Sequence, residues 1–129
     1  MEPQPQKTAI FKSVAPQLVV ADVVRTAEYY RDVLGFEHLG YFLDPPVYAM
    51  VRRGGVEIHF GKAENNGVSN AVVRSGSFDL YIWVSDIDAV LEELKAAGAD
   101  IIEGPVRRVY DCVEVIVRDC NGYVLLFAV

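Results

Sequence analysis

One segment order occurs twice in this chain, and the repeat limits the possible folds more than any other feature. Leu18-Val19-Val20-Ala21-Asp22-Val23 returns 64 residues later as Ile82-Trp83-Val84-Ser85-Asp86-Ile87. A helical pattern follows each copy and stops at Gly35 and at Gly98. Each half then closes on a Gly-led apolar strand, Gly55-Val56-Glu57-Ile58-His59-Phe60 and Gly122-Tyr123-Val124-Leu125-Leu126-Phe127, 67 residues apart. A repeat of this size predicts two like modules that bury their apolar faces against each other. It also assigns each residue a counterpart in the other half.

Local patterns fill in the modules. Val14 to Val20 is a β-branched run and reads as a strand. Asp22 is a good N-cap, and Val23, Ala27, Tyr30 and Val33 recur at helical spacing up to Gly35. Phe36–Phe42, Val47–Arg52 and Val56–Phe60 read as short strands, punctuated by Pro45-Pro46 and Gly54-Gly55. Residues 61–77 are polar and link the halves. In the second half Phe78–Val84 is a strand, and Asp86 caps a helix with an Ile87, Val90, Leu91, Leu94 stripe. Strands follow near Asp100–Glu103, Val106–Tyr110 and Cys112–Arg118, then an Asn121-Gly122 hairpin signal and a closing strand, Tyr123–Ala128. The reading is an α+β fold of two βαβββ modules, 14–60 and 78–129, that form an open, cupped mixed sheet with the helices on its outer face. Residues 1–12 are rich in Pro and Gln and read as a flexible tail before a single domain, 13–129.

Bulk properties remove several classes of function. At 129 residues the chain is long enough for one domain with its own core. A net charge of −6 disfavours a nucleic-acid partner. No apolar run reaches the roughly 18 residues of a membrane span. Cys112 and Cys120 stand at opposite ends of one expected strand, eight steps of ~3.3 Å apart and beyond disulfide reach. Unpaired cysteines fit a cytoplasmic location.

Alternation along the strands separates the two sheet faces. Phe78, Leu80, Ile82 and Val84 form an apolar row for the helix side, with Asp79, Tyr81 and Trp83 opposite. Val56, Ile58 and Phe60 face the helix, with Glu57 and His59 opposite. Tyr123, Leu125 and Phe127 face the helix, with Val124, Leu126 and Ala128 opposite. Ala15, Gln17 and Val19 are the free row of the first strand. One helix per module covers one face only. The other face, lined by Gln17, Glu57, His59, Asp79, Tyr81 and Trp83, is expected to form a pocket with aromatic walls and a few polar groups.

At this point the chain resembles the vicinal oxygen chelate superfamily, which includes glyoxalase I, bleomycin-resistance proteins and extradiol dioxygenases. The resemblance rests on Pro16 to Asp22 leading into Tyr30-Arg31-Asp32-Val33-Leu34-Gly35-Phe36. It continues in Val84-Ser85-Asp86-Ile87-Asp88, Leu94-Lys95-Ala96-Ala97-Gly98-Ala99 and Arg118-Asp119-Cys120-Asn121-Gly122-Tyr123. It implies paired βαβββ modules, an open cupped sheet and a homodimer. Metal-dependent members place a ligand seven residues before the Asp and four after the Gly of each module. Those places hold Ala15, His59, Asp79 and Leu126 here. Two of these four side chains cannot coordinate a metal, so no metal and no other cofactor is expected. If a metal were held, His59 and Asp79 would hold it with a replacement from Gln17, Glu57 or Glu114.

The resemblance is closest to the bleomycin-resistance type, which sequesters a drug in a cleft between subunits. It implies that this chain binds an aromatic or cationic small molecule through Gln17, Tyr48, Glu57, His59, Asp79, Tyr81, Trp83, Glu114 and Arg118. Tyr81, Trp83 and Tyr48 could stack on such a ligand, and Asp79, Glu57 and the net charge agree in sign with a cation. The same aromatic row would serve equally well as a dimer contact. Arg118 on this face would favour an anionic group instead. The alternative function is a divergent metal-dependent lyase, isomerase or dioxygenase. There is no Gly-rich phosphate loop, and a Ser or Cys triad has little support.

Overall fold

The structure, a computed structural model, describes residues 2–3 and 5–129. Its elements run β1 (Gln17–Val20), α1 (Val23–Asp32), β2 (Glu37–Phe42), β3 (Tyr48–Arg53), β4 (Val56–Lys62), α2 (Asn70–Val73), β5 (Leu80–Trp83), α3 (Ile87–Ala96), β6 (Asp100–Arg107), β7 (Val113–Arg118) and β8 (Val124–Ala128). The two modules are two four-stranded mixed sheets, ordered β1-β4-β3-β2 and β5-β8-β7-β6. In each, the first strand pairs parallel with the last, and the other pairs are antiparallel. The repeat in the sequence is therefore a repeat of topology.

The helices begin and end alike. The side chains of Asp22 and Asp86 accept from Arg25 N and Ala89 N, both at 3.0 Å, which satisfies one free N–H at each helix start. Gly35 and Gly98 leave the helices at φ +73°, a conformation that costs a residue with a Cβ about 1–2 kcal/mol. α1 packs on β2, β3 and β4, and α3 on β6 and β7. The rows named for the helix side form one continuous core across both modules, including Ile58, Phe60, Ile82, Leu125 and Phe127. Tyr30 is at its centre, with its ring 4.8 Å from that of Phe60.

Polar groups also join the modules. The Tyr30 hydroxyl donates to Asp119 Oδ2 at 2.6 Å, and Asn121 Nδ2 donates to Thr26 Oγ1 at 2.8 Å. The Tyr123 hydroxyl donates to the Val19 carbonyl at 2.5 Å, and Arg53 Nη2 donates to Glu93 Oε2 at 2.7 Å. The turn after β7 is thereby tied to α1 and β1 of the first module.

Four local expectations need correction. β1 pairs only from Gln17, so Val14 and Ala15 precede the sheet. β4 extends to Lys62, and the expected linker contains α2, capped by Ser69, whose hydroxyl accepts from Ala71 N at 3.1 Å. The strands expected at Asp100–Glu103 and Val106–Tyr110 are one strand, β6. Register shifts at Ile101/Glu103 and Glu103/Val106 carry it past Gly104-Pro105, and pairing resumes at Val106. Residues 108–112 make the turn, with Arg108 N bonded to Cys112 O at 2.8 Å. Phe78 lies on the free face rather than the helix face, because β5 starts at Leu80 and alternation does not reach back to it. Among the described residues no helix is long and apolar enough to cross a membrane.

Candidate functional site

The face of each sheet away from the helices carries the candidate residues, and register fixes their order. In module one, Met50 pairs with His59 and Arg52 with Glu57 across β3 and β4, while Gln17 pairs with His59 across β1 and β4. Paired residues point to the same side. Here Gln17, Tyr48, Glu57 and His59 form a hydrogen-bonded chain. Glu57 Oε2 is 2.6 Å from His59 Nε2, and His59 Nδ1 is 2.8 Å from the Tyr48 hydroxyl. Gln17 Nε2 donates to that hydroxyl at 3.3 Å.

Module two places different chemistry at the corresponding points. Glu114 pairs with Ala128, Ile116 with Leu126 and Arg118 with Val124. Tyr48, His59 and Glu57 of module one thus correspond to Glu114, Leu126 and Val124. The polar chain is replaced by a small apolar cluster of Ile116, Val124, Leu126 and Ala128, against which Ala71, Phe78 and Tyr81 pack. One feature is kept in both modules: Arg52 faces Glu37 at 3.8 Å, and Arg118 faces Asp100 at 3.2 Å. A cavity of about 720 Å³ opens above this second face, with Ile116, Val124 and Leu126 in its floor and Phe78, Tyr110 and Arg118 among its walls.

Glu114 is the ionic centre of that cavity. It is only 1% exposed and accepts from Tyr110 Oη at 2.6 Å, Arg108 Nε at 2.8 Å and Tyr81 Oη at 2.9 Å. Burial pushes its carboxyl up, but the bonds from Tyr110, Arg108 and Tyr81 outweigh burial and hold it below the usual range. Burial and the bond to Glu114 push the Tyr81 phenol well up, so both Tyr81 and Glu114 keep their charge states at neutral pH. Arg108 also reaches Glu103 at 3.1 Å. Glu103, Glu114, Arg108 and Arg118 balance in charge over this floor.

The remaining candidates are placed differently. Trp83 is 65% exposed, with its ring 5.1 Å from that of Tyr81. Asp79 is not a free pocket carboxylate. It accepts from Ser69 Oγ at 2.5 Å and from the backbone N–H groups of Asn70 and Val124, each at 2.8 Å. It anchors α2 to the start of β5. The structure thus brings Gln17, Tyr48, Glu57 and His59 together in one group and Tyr81, Glu114 and Arg118 in another. The two groups share no hydrogen bond. Sequence reasoning missed Tyr110, Arg108 and Glu103. For Glu103 the signal was the Gly104-Pro105 pair inside a strand pattern, which marks a bulge; beyond it Arg108 follows Val106 by two on the face of Glu114.

Residues 11–127 match the family model described as Glyoxalase/Bleomycin resistance protein/Dioxygenase superfamily. The chain belongs to that superfamily. TioX from Micromonospora sp. ML1 has a similar solved structure, with a TM-score of 0.74 and 24% identity over 92% of this chain and 98% of TioX. A virulence protein from Salmonella typhimurium is 26% identical over 94% of this chain and 98% of its own, with a TM-score of 0.67. An integron cassette protein from the mobile metagenome of V. cholerae is 22% identical over 95% and 98%, with a TM-score of 0.68. No curated protein sequence matches the chain significantly.

The superfamily's metal positions can be tested against the donors present. Leu126 is buried in the apolar floor, and Ala15 has no donor atom. The oxygens of Asp79 are committed to three N–H and O–H donors. Among the described residues no three His, Cys, Asp or Glu side chains converge as a metal would require. This donor set does not fit a divalent ion.

Proposed function

We propose that the chain binds a flat aromatic small molecule over the free face of module two and holds it without converting it, as a bleomycin-resistance-type protein would. The observation that carries the reading is the cavity of about 720 Å³, which has an apolar floor, aromatic walls and a satisfied ionic centre. Its size lies within the roughly 300–1,000 Å³ of small-molecule pockets. Tyr81 and Trp83 stand in register beside Leu126 and Ala128, with Leu126 in the cavity floor. The floor is neutral overall, so its preference is for a ring rather than for a charge.

The reading includes a cytoplasmic homodimer. Within one chain the cavity has no roof. A second copy that laid its module-one face over it would supply one and would cover Phe42 and Leu43, about 60% exposed at the β2–β3 hairpin. Sedimentation equilibrium at micromolar concentration is expected to give the dimer, and a single 14.3 kDa species would contradict it.

Trp83 is the only tryptophan, so its emission reports binding without interference. Titration with planar aromatic compounds, antibiotics among them, is expected to quench it. Trp83→Ala should weaken binding by ~1–3 kcal/mol, the range for a stacked aromatic anchor. Unchanged affinity in that variant would place the ligand elsewhere.

A further inference from the structure

We infer that the free face of module one is a subsite for a protonated amine, accepted by Tyr48 and Glu57 with Gln17 beside them. The inference rests on the small-molecule reading and adds the charge class of the ligand. It follows from where the protons of the Glu57–His59–Tyr48 chain must lie. An ionised carboxylate only accepts, so the short contact to Glu57 puts the imidazole proton on Nε2. With the imidazole neutral, Nδ1 is bare and the Tyr48 hydroxyl donates to it. Gln17 donates to the same phenolic oxygen. The Tyr48 proton is therefore spent on His59, and one lone pair is left on its oxygen.

What remains open on this face is almost entirely acceptor: one lone pair on Tyr48 and the second oxygen of Glu57, against one spare N–H on Gln17. Glu57 is 34% exposed at its side chain and His59 21%, so the group is reachable. The nearest cation in register, Arg52, turns to Glu37 instead. β1 contributes Gln17 and Val19 and no charge. Module two has the opposite character at the corresponding points, an apolar floor and balanced charges. An ammonium group, which has only donors, complements module one, and a carboxylate does not. A ligand with its aromatic body over module two and its amine toward the module-one face of the second copy would use both faces. His59 needs no contact with the ligand; it sets the direction of the Tyr48 hydroxyl.

Calorimetry with 2-naphthylmethylammonium and 2-naphthoate tests this on the full chain. The wild type is expected to prefer the ammonium. Tyr48→Phe and Glu57→Gln should each reduce that preference roughly tenfold, the loss of a hydrogen bond to a charged group. His59→Phe frees the Tyr48 proton to turn outward, so naphthoate binding should rise while ammonium binding falls. General damage to the fold would lower both together. Equal binding of the two probes by the wild type, or a ratio unchanged in all three variants, would overturn the amine subsite and leave the aromatic reading standing. Failure of both probes to bind or to quench Trp83 would remove the small-molecule reading and the subsite with it.

Discussion

Asp119→Ala is expected to cost roughly 3–5 kcal/mol of stability, a large share of what a domain this size has. Asp119 is 6% exposed in the turn between β7 and β8. Its Oδ1 accepts from the backbone N–H groups of Asn121 at 2.8 Å and Tyr123 at 2.9 Å, and its Oδ2 accepts from Tyr30 Oη. Tyr30 has no exposed surface. Alanine would leave three donors without partners, one of them at the centre of the shared core, and each buried orphan costs about 1–3 kcal/mol. Urea denaturation followed by circular dichroism and by Trp83 emission measures the loss. A cost below about 1 kcal/mol would mean that the turn and the module junction hold without this carboxylate.

The same residue gives stability a pH dependence of known sign. Burial raises the Asp119 carboxyl above its ordinary value of 3.8, and the bonds from Tyr30, Asn121 and Tyr123 offset this only in part. The folded state therefore holds the proton more tightly than the unfolded one. That contribution is complete below about pH 4 and is lost as pH rises through the raised value. The stability of wild type relative to Asp119→Asn should fall as pH increases across this window. A gap that widened instead would reverse the assignment.

How far the site was legible depends on what alternation can and cannot carry. The repeat places β4 against β8, and strict alternation within each puts Ile58, Phe60, Leu125 and Phe127 in the core and Glu57 and His59 on the free face. Those strands are uninterrupted, so counting by two holds along their length. It fails at β6 for Glu103, which the first register shift turns onto the face of Glu114 and the second leaves out of phase with Val106 and Arg108. It fails for Phe78 because pairing starts two residues later. Asp79 shows a different limit. A strand pattern says which way a carboxylate leaves the backbone, but not that Ser69 at the head of α2 will meet it. The Tyr48–His59–Glu57 chain joins neighbouring strands. Its members were visible separately, but the order of their bonds depends on register, which the hairpin determines.

Gly104→Ala is the substitution expected to disturb the site most through the backbone. Gly104 lies at φ +109°, and a Cβ there would sit 2.5 Å from the Glu114 carbonyl oxygen and 2.9 Å from Val115 Cα. Both are main-chain atoms of β7, which is paired on its other side with β8 and cannot retreat easily. Relief requires β6 to move away, and strain plus lost pairing should cost about 2–4 kcal/mol. Gly98→Ala is the control, because its φ of +73° carries strain but its Cβ would meet nothing within 4 Å. That variant should lose only about 1–2 kcal/mol. The larger effect also has a local readout. Arg108 and Tyr110 reach Glu114 from the segment just beyond Gly104, and their bonds keep its carboxyl low against burial. If β6 shifts, burial acts with less opposition, and the Glu114 carboxyl should titrate at higher pH in carbon NMR. Ligand quenching of Trp83 should weaken in parallel, because the cavity loses the wall that Tyr110 provides. Equal stability losses in the Gly104 and Gly98 variants, with Glu114 unmoved, would show that β7 yields at this contact and that the bulge does not set the geometry of the cavity.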